Sequence, residues 1–329
     1  MLGIRLTMTS DTVARHRPRR LVDGILLLDK PSGMSSNRAL QRVKALFNAH
    51  KAGHTGSLDP LATGMLPICL GDGTKMAGHL LDAEKLYRVQ LAFGLETSTG
   101  DAEGLTQARG VEAVERRSLE VVLRLFLGTS LQIPPMHSAL KLNGRPLYRL
   151  ARTGHTVDRA PRQITIRDLA IEEYDPHVPV LRVRCSKGTY IRTLVEDIAR
   201  KAGTVAHVAE LRRICIWPFS GQAMIDLEHL ERVAVESPGD LDRLLLPMDA
   251  ALGALPEVHL GPAETGRLRQ GQAVDEVDAP GPAKDSLVRL YGPGSQFLGV
   301  GERDSQGRIL PRRLVRASIR SPRPSAGCN

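Results

Sequence analysis

The sequence predicts an α+β fold. Short apolar strands are separated by helices without a regular strand–helix–strand repeat, and near residue 251 the texture turns Gly- and Pro-rich with short strands only. At 329 residues, 42% of them hydrophobic and 25% charged, the chain has material for a sizeable core and more than one domain. No stretch approaches the roughly 18 consecutive apolar residues of a membrane helix, so a soluble protein is expected.

In chain order, Gly24–Asp29 is an apolar run closed by Lys30, Pro31, Ser32 and Gly33, which reads as a buried strand and a turn. Ser35 or Ser36 then caps a helix whose Ala39, Leu40, Val43, Leu46 and Phe47 fall at helical spacing. Ala52–Pro67 reads as a long loop, Leu66–Leu70 as a strand and residues 74–83 as a helix. Tyr87–Phe93 and Gln163–Ile171 are strands, and Leu181, Val183 and Cys185 alternate with Arg182 and Arg184 as in a strand with one buried face. A helix follows over Tyr190–Lys201, stopped by Gly203. Pro218–Ala250 reads helical and acidic, and Leu287–Tyr291, Phe297–Val300 and Leu314–Val315 are short strands of the C-terminal unit. The expected organisation is a disordered leader over 1–20, a main domain over 21–250, a small β-domain over 251–317 and a disordered tail over 318–329.

Charge is distributed unevenly. The formal net charge is +9, of which residues 1–20 supply +4 and residues 311–329 supply +5, leaving the body neutral overall. Within that body, residues 134–167 hold seven basic groups against Asp158, and residues 222–260 hold eight acids against Arg232 and Arg243. This local clustering, rather than the global charge, points to a polyanionic partner. Aromatics are only 3% of the chain, which argues against broad base-stacking platforms. The four cysteines are scattered without a Cys-x-x-Cys pair, neither a zinc site nor a disulfide framework, and fit a reducing cytosol. The histidines show no metal-ligand spacing, and no phosphate-cradling glycine motif is present, so a catalyst without metal or cofactor is the consistent reading.

The chemistry concentrates in Ala52–Pro67, AGHTGSLDPLATGMLP. There a lone carboxylate, Asp59, stands before a proline, among leucines and between glycines that permit unusual backbone angles. A carboxylate among leucines is expensive unless it is paired; the competing reading is an ordinary turn aspartate. A candidate cation is Arg192 in KGTYIRT, placed in the first turn of the predicted helix, where it can clamp a carboxylate bidentately. Such a pair would keep Asp59 ionised, with a pKa lowered by roughly 1–3 units. Tyr87 opens a strand and reads either as a core tyrosine or as a site residue.

Four ordered motifs, GILLLDKPSGMSS from Gly24, GHTGSLDPLATGM from Gly53, KLYRV from Lys85 and CSKGTYIRT from Cys185, closely resemble the TruB family of tRNA pseudouridine synthases. The likeness runs from about Gly24 to Val315. It implies an α+β pseudouridine synthase catalytic domain with a mostly antiparallel central sheet, and a C-terminal PUA-like β-barrel. It also implies cofactor-free isomerisation of uridine 55 in the T-loop of tRNA, in the cytoplasm, with no membrane and no obligatory protein partner.

Carried over by motif, the resemblance makes Asp59 the catalytic carboxylate, Tyr87 the tyrosine that packs on the target base and Arg192 the partner of Asp59. Tyr190 and Leu211 match residues lining the uridine pocket, and His54 matches the histidine inserted where the flipped nucleotide was stacked. Lys30 and Pro31 match a turn read as structural. Lys141, Arg145, Arg149 and Arg152 of the 134–167 arm, with Arg312 and Arg313, are expected to contact RNA. Two positions depart from the family pattern: Ser57 stands where alanine is common, and His137 where tyrosine is frequent. The alternatives are a non-catalytic tRNA-binding or RNA-folding protein on the same scaffold and, third, a guide-RNA-dependent relative.

Overall fold

The computed structural model describes residues 18–142, 144–275 and 286–316. Residues 1–17 of the expected leader, and the whole expected tail, 318–329, lie outside the described residues. The first part runs β1 (Gly24–Lys30), α1 (Ser36–Leu46), β2 (Ala52–His54), β3 (Thr63–Leu70), α2 (Ala77–Asp82), β4 (Lys85–Phe93), β5 (Leu95–Thr97), β6 (Thr106–Arg109), α3 (Arg116–Arg124) and β7 (Gly128–Gln132). It continues with β8 (Lys141–Leu142), β9 (Arg145–Pro146), α4 (Leu147–Arg152), β10 (Arg162–Glu173), β11 (Val180–Cys185), α5 (Ile191–Lys201), β12 (Ala206–Ile216), β13 (Ile225–Asp226) and α6 (Leu227–Glu236). The last part holds β14 (Glu257–His259), α7 (Pro262–Arg269), β15 (Val274–Asp275), β16 (Leu287–Gly292), β17 (Gln296–Arg303) and β18 (Arg308–Leu314).

Nine strands form one sheet in the order β13-β1-β3-β12-β4-β11-β10-β7, with β2 added on β3. Only β1–β13 and β3–β12 are parallel; the other pairings are antiparallel. The apolar run of β1 shows why this sheet is covered on both faces. Leu26 and Leu28 join one core with α1, α3, α5 and α6, while Ile25 and Leu27 join a second core with Met65, Cys69 and Leu80. Side chains alternate across a strand, so a run without polar residues needs two apolar surfaces. A five-stranded sheet, β14-β16-β17-β18-β15, encloses a third core of Val258, Leu260, Leu268, Val288, Leu290, Leu298 and Ile309. It is seated on the first part of the chain. Val300 and Val315 belong to the second core, Lys75 Nζ donates to the Leu314 carbonyl at 2.9 Å, and the Tyr291 hydroxyl donates to Asp249 at 2.8 Å.

Local departures from expectation have local reasons. The 52–67 segment contains β2 and the start of β3, because their backbones pair with each other and with β1 across glycines and a proline that read as breakers. The 74–83 helix is divided into a 3-10 turn over Gly71–Lys75 and α2. Of the acidic 218–250 segment only α6 is a regular α-helix, capped by Asp226, whose carboxylate accepts from the His229 amide at 2.6 Å. Pro238 then opens a 3-10 turn instead. Helix α7 sits inside the C-terminal unit, where the texture showed only strands. Among the described residues no helix is long and apolar enough to cross a membrane.

The junction of β3 and β12 is the tightest point of the sheet. Gly64 lies opposite Arg213 with φ +96°, and a Cβ there would stand 2.2 Å from the Arg213 carbonyl oxygen. Both the conformation and the space require glycine. Gly64→Ala is therefore expected to destabilise the protein by about 3 kcal/mol, read by urea unfolding, whereas Gly33→Ala, with open space around it, loses only about 1 kcal/mol.

Candidate active site

The loop Thr55–Ala62 between β2 and β3 is held from three sides. Ser36, buried at the start of α1, donates to the Leu58 carbonyl at 3.0 Å and accepts from the Leu58 amide at 2.7 Å. The Gly33 amide donates to the Pro60 carbonyl, and Ser32 Oγ to the Leu61 carbonyl. Lys30, fully buried, places Nζ against the carbonyls of Pro31 (2.7 Å), Met34 (2.6 Å) and Pro60 (3.3 Å). Burial lowers the pKa of this ammonium to about 8, opposed by Asp59. The lysine–proline turn thus acts on the Asp59 loop directly, as a bracket from the neighbouring strand.

Asp59 meets Arg192 side-on: Nε lies 2.9 Å from Oδ2 and Nη2 3.3 Å from Oδ1. Arg192 is the second residue of α5 and its side chain is only 6% exposed. A cation at a helix N-terminus opposes the helix dipole, and this one is compensated on every side. Nη1 donates to the Thr99 carbonyl and Nη2 to the His137 carbonyl, both at 2.6 Å, and Asp101 Oδ2 lies 3.8 Å from Nε. Asp101 is itself fixed, accepting from Thr99 Oγ1 at 2.5 Å and from the Glu103 amide at 3.2 Å. The start of α5 lacks a side-chain cap of its own, and buried Gln132 at the end of β7 takes that place. Its Oε1 accepts from the Tyr190 amide at 2.8 Å and its Nε2 donates to the Tyr190 carbonyl at 3.1 Å.

The pairing of Asp59 with Arg192 is as the motifs imply, but its electrostatic consequence differs. Burial pushes the Asp59 carboxyl above the ordinary carboxylate range; Arg192 and Lys30 pull it down, and Asp101 adds to the rise. The depressed pKa expected from the sequence fails because the loop strips water from the carboxylate and the same cation is shared with a second aspartate.

Two of the remaining motif residues, Tyr87 and Tyr190, lie within electrostatic reach of this pair. Tyr87 on β4 is 8% exposed and shares one apolar cluster with Leu58, Leu66, Ile191 and Leu211, with Leu61 packed against it. Burial raises the Tyr87 phenol, with Arg213 opposing. The phenol of Tyr190, just before α5, is also raised by burial. His54 ends β2, half-buried; its Nδ1 has no partner among the described residues, and burial lowers its pKa. The charged form of the ring is thus disfavoured.

The basic residues lie apart from the pair. Lys141, Arg145, Arg149 and Arg152 are exposed on the β8–β9 hairpin and α4, with Arg152 5.6 Å from the Tyr148 ring centroid. Arg313 is exposed on β18 and lines a cavity of about 640 Å³ with Lys51, Lys75 and His79. Arg312, on the same strand, is exposed but committed to Glu302, which leaves it less free for a phosphate than the sequence implies. Asp101, Gln132 and Arg213 were not singled out from sequence. Asp101 carried a signal, a carboxylate in a Ser/Thr/Gly turn like that of Asp59; Arg213 carried another, a charge at an inward position of an alternating strand.

A carboxyl whose folded pKa is raised contributes stability below its unfolded pKa and loses it as pH rises through the folded value. Asp59→Asn is accordingly expected to melt higher than the wild type at pH 8. The difference should vanish toward pH 4, as measured by thermal unfolding across pH. An equal or lower melting temperature at pH 8 would contradict the assignment.

With the geometry in hand, comparison with known proteins is direct. Residues 44–191 match the TruB family pseudouridylate synthase (N terminal domain) model, 192–253 the tRNA pseudouridylate synthase B C-terminal domain model, and 256–315 the pseudouridine synthase II TruB, C-terminal model. The chain is 49% identical over 302 residues to tRNA pseudouridine synthase B of Stutzerimonas stutzeri (strain A1501), covering 92% of this chain and 98% of that protein. It is 48% identical over 304 residues to the protein of the same name from Sodalis glossinidius (strain morsitans), covering 91% and 97%. Among solved structures it resembles a Cbf5-Nop10-Gar1 complex chain at TM-score 0.68 and 25% identity, covering 86% of this chain and 79% of that one. An H/ACA RNP bound to a substrate RNA containing 2′-deoxyuridine shares the fold, at TM-score 0.68 and 22% identity over 89% and 85% of the two chains. The chain belongs to the TruB family of pseudouridylate synthases.

Proposed function

We propose that this protein isomerises uridine 55 in the T-loop of tRNA to pseudouridine, with Asp59 as the catalytic carboxylate and without a cofactor. The observation that carries the reading is the Asp59 carboxylate, clamped side-on by Arg192 and 38% exposed next to Leu58, in an apolar cluster that also holds Leu211 and Tyr87. The reaction breaks the C1′–N1 bond, turns the uracil and joins C1′ to C5, with the C5 proton lost and N1 reprotonated. A glycosidase needs two carboxylates, one to protonate the leaving oxygen and one to serve a water or the sugar. Here the leaving group is a delocalised uracil anion that stays bound and water is excluded, so one carboxylate and a dry pocket meet the need. Asp59 is placed to attack C1′ or C6, or to take the 2′ proton.

A uridine inside the folded T-loop must be extruded first, at a few kcal/mol. The ring of His54 fills the vacated stack, while Tyr190 and Leu211 line the pocket that receives the base. The exposed arm residues Lys141, Arg145, Arg149 and Arg152 hold the RNA backbone, with Arg313 and, when released from Glu302, Arg312 on the far side. The reading carries with it a cytoplasmic location, where a tRNA substrate is met.

Incubation with unmodified tRNA transcript is expected to yield pseudouridine at position 55 for the wild type and none for Asp59→Asn, which still binds tRNA. Binding by both proteins with modification by neither would favour a tRNA-binding or RNA-folding protein instead. Neutralising Arg145 and Arg149 together is expected to weaken tRNA binding and to reduce the slope of log affinity against log salt by roughly 1–2. An unchanged slope would exclude these residues from the RNA contact.

A further inference from the structure

Arg213 stands out among the buried side chains. It is 1% exposed, the bulkiest fully buried residue among the described ones, and no carboxylate lies within ion-pair distance of it among those residues. A buried, permanent cation without an anion is expensive unless its donors are met, and a sequence under no constraint would replace it by an apolar residue. Its donors reach two carbonyls: Nε bonds the Met65 carbonyl at 2.7 Å and Nη2 the Gly56 carbonyl at 3.1 Å. These two carbonyls stand at either end of the segment that carries Asp59. The guanidinium therefore closes that loop across its neck.

The same side chain reaches the tyrosine. On β12 Arg213 lies directly opposite Tyr87 of β4, so both side chains leave the sheet on one face, next to the Leu211–Val89 pair. The positive charge of this guanidinium opposes the rise that burial gives the Tyr87 phenol. The backbone fit is equally close, because Gly64 leaves room for nothing between β3 and the Arg213 carbonyl.

We infer that Arg213 is a positioning residue for the reaction proposed above: it holds the Asp59 loop and the Tyr87 phenol in fixed relation to each other, acting from below the pocket without touching RNA. The inference rests on that functional reading. A planar fork is needed to reach both carbonyls while its charge faces the phenol side of the strand pair. Lysine keeps the charge but is a point donor on a flexible stem and cannot bond both carbonyls in that geometry.

The test compares wild type with Arg213→Lys and Arg213→Gln in single-turnover modification of tRNA transcript, alongside filter binding of the same tRNA. Arg213→Lys is expected to modify at least tenfold more slowly at saturating protein, with tRNA affinity within twofold of wild type. An activity-independent readout is the ¹³Cζ tyrosine NMR spectrum at pH 8, where Tyr87→Phe identifies the Tyr87 resonance among five tyrosines. That resonance is expected to move in Arg213→Lys, and further in Arg213→Gln, while the other four stay in place. A wild-type rate in Arg213→Lys, a rate loss that follows lost tRNA affinity, or an unmoved Tyr87 resonance would each overturn the inference. If Arg213→Gln does not fold, the Arg213→Lys rate and spectrum decide it. If the wild type itself makes no pseudouridine, the functional reading fails, and the spectrum alone decides whether Arg213 governs Tyr87.

Discussion

A carboxylate kept partly out of water needs a cation held as firmly as itself, and most of this site is arranged to meet that need for Asp59. The cation is Arg192, and it sits where a helix N-terminus disfavours positive charge. Its stability there comes from the Thr99 and His137 carbonyls, Asp59 and the nearby Asp101. One side chain thus draws together the Asp59 loop, the Ser98–Asp101 turn and the base of the basic arm. Disturbing any of the three changes the charge environment of the other two.

The sheet supplies the rigidity this arrangement requires. Strand β12 pairs in parallel with β3 and antiparallel with β4, so it places Leu211 and Arg213 between the Asp59 loop and Tyr87. Lys30 and Ser36, from β1 and α1, brace the other side of the loop. The far face of the same sheet is covered by a second core that includes Val300 and Val315 of the C-terminal unit. Loop, pocket and C-terminal unit are therefore connected through packed layers rather than through a linker.

Much of this was legible in advance, and the exceptions have physical causes. The apolar run of β1 and the Leu40–Val43 spacing of α1 reveal themselves because each depends on a local period. The motif residues Asp59, Tyr87, Arg192, Tyr190 and Leu211 are brought together by the 55–62 loop, β4, α5 and β12. Strand β2 and the start of β3 were hidden because glycines and a proline lie in strands whose partners are remote in sequence. The acidic 218–250 segment looked helical through composition alone, and its prolines divide it.

The sequence by itself determined which groups are available: one carboxylate among leucines, an arginine in a helix's first turn, a tyrosine on an alternating strand and a basic exposed arm. Only the tertiary structure decided how those groups behave. Asp59 titrates upward rather than downward because desolvation and Asp101 come from elements distant in the chain, and their sum outweighs the cation that the motif supplies. Arg312 is paired with Glu302, and Arg213 closes the Asp59 loop through the Met65 and Gly56 carbonyls, because the packing of strands sets which groups meet. Charge and size are written residue by residue, whereas dielectric environment and distance arise only when remote segments pack.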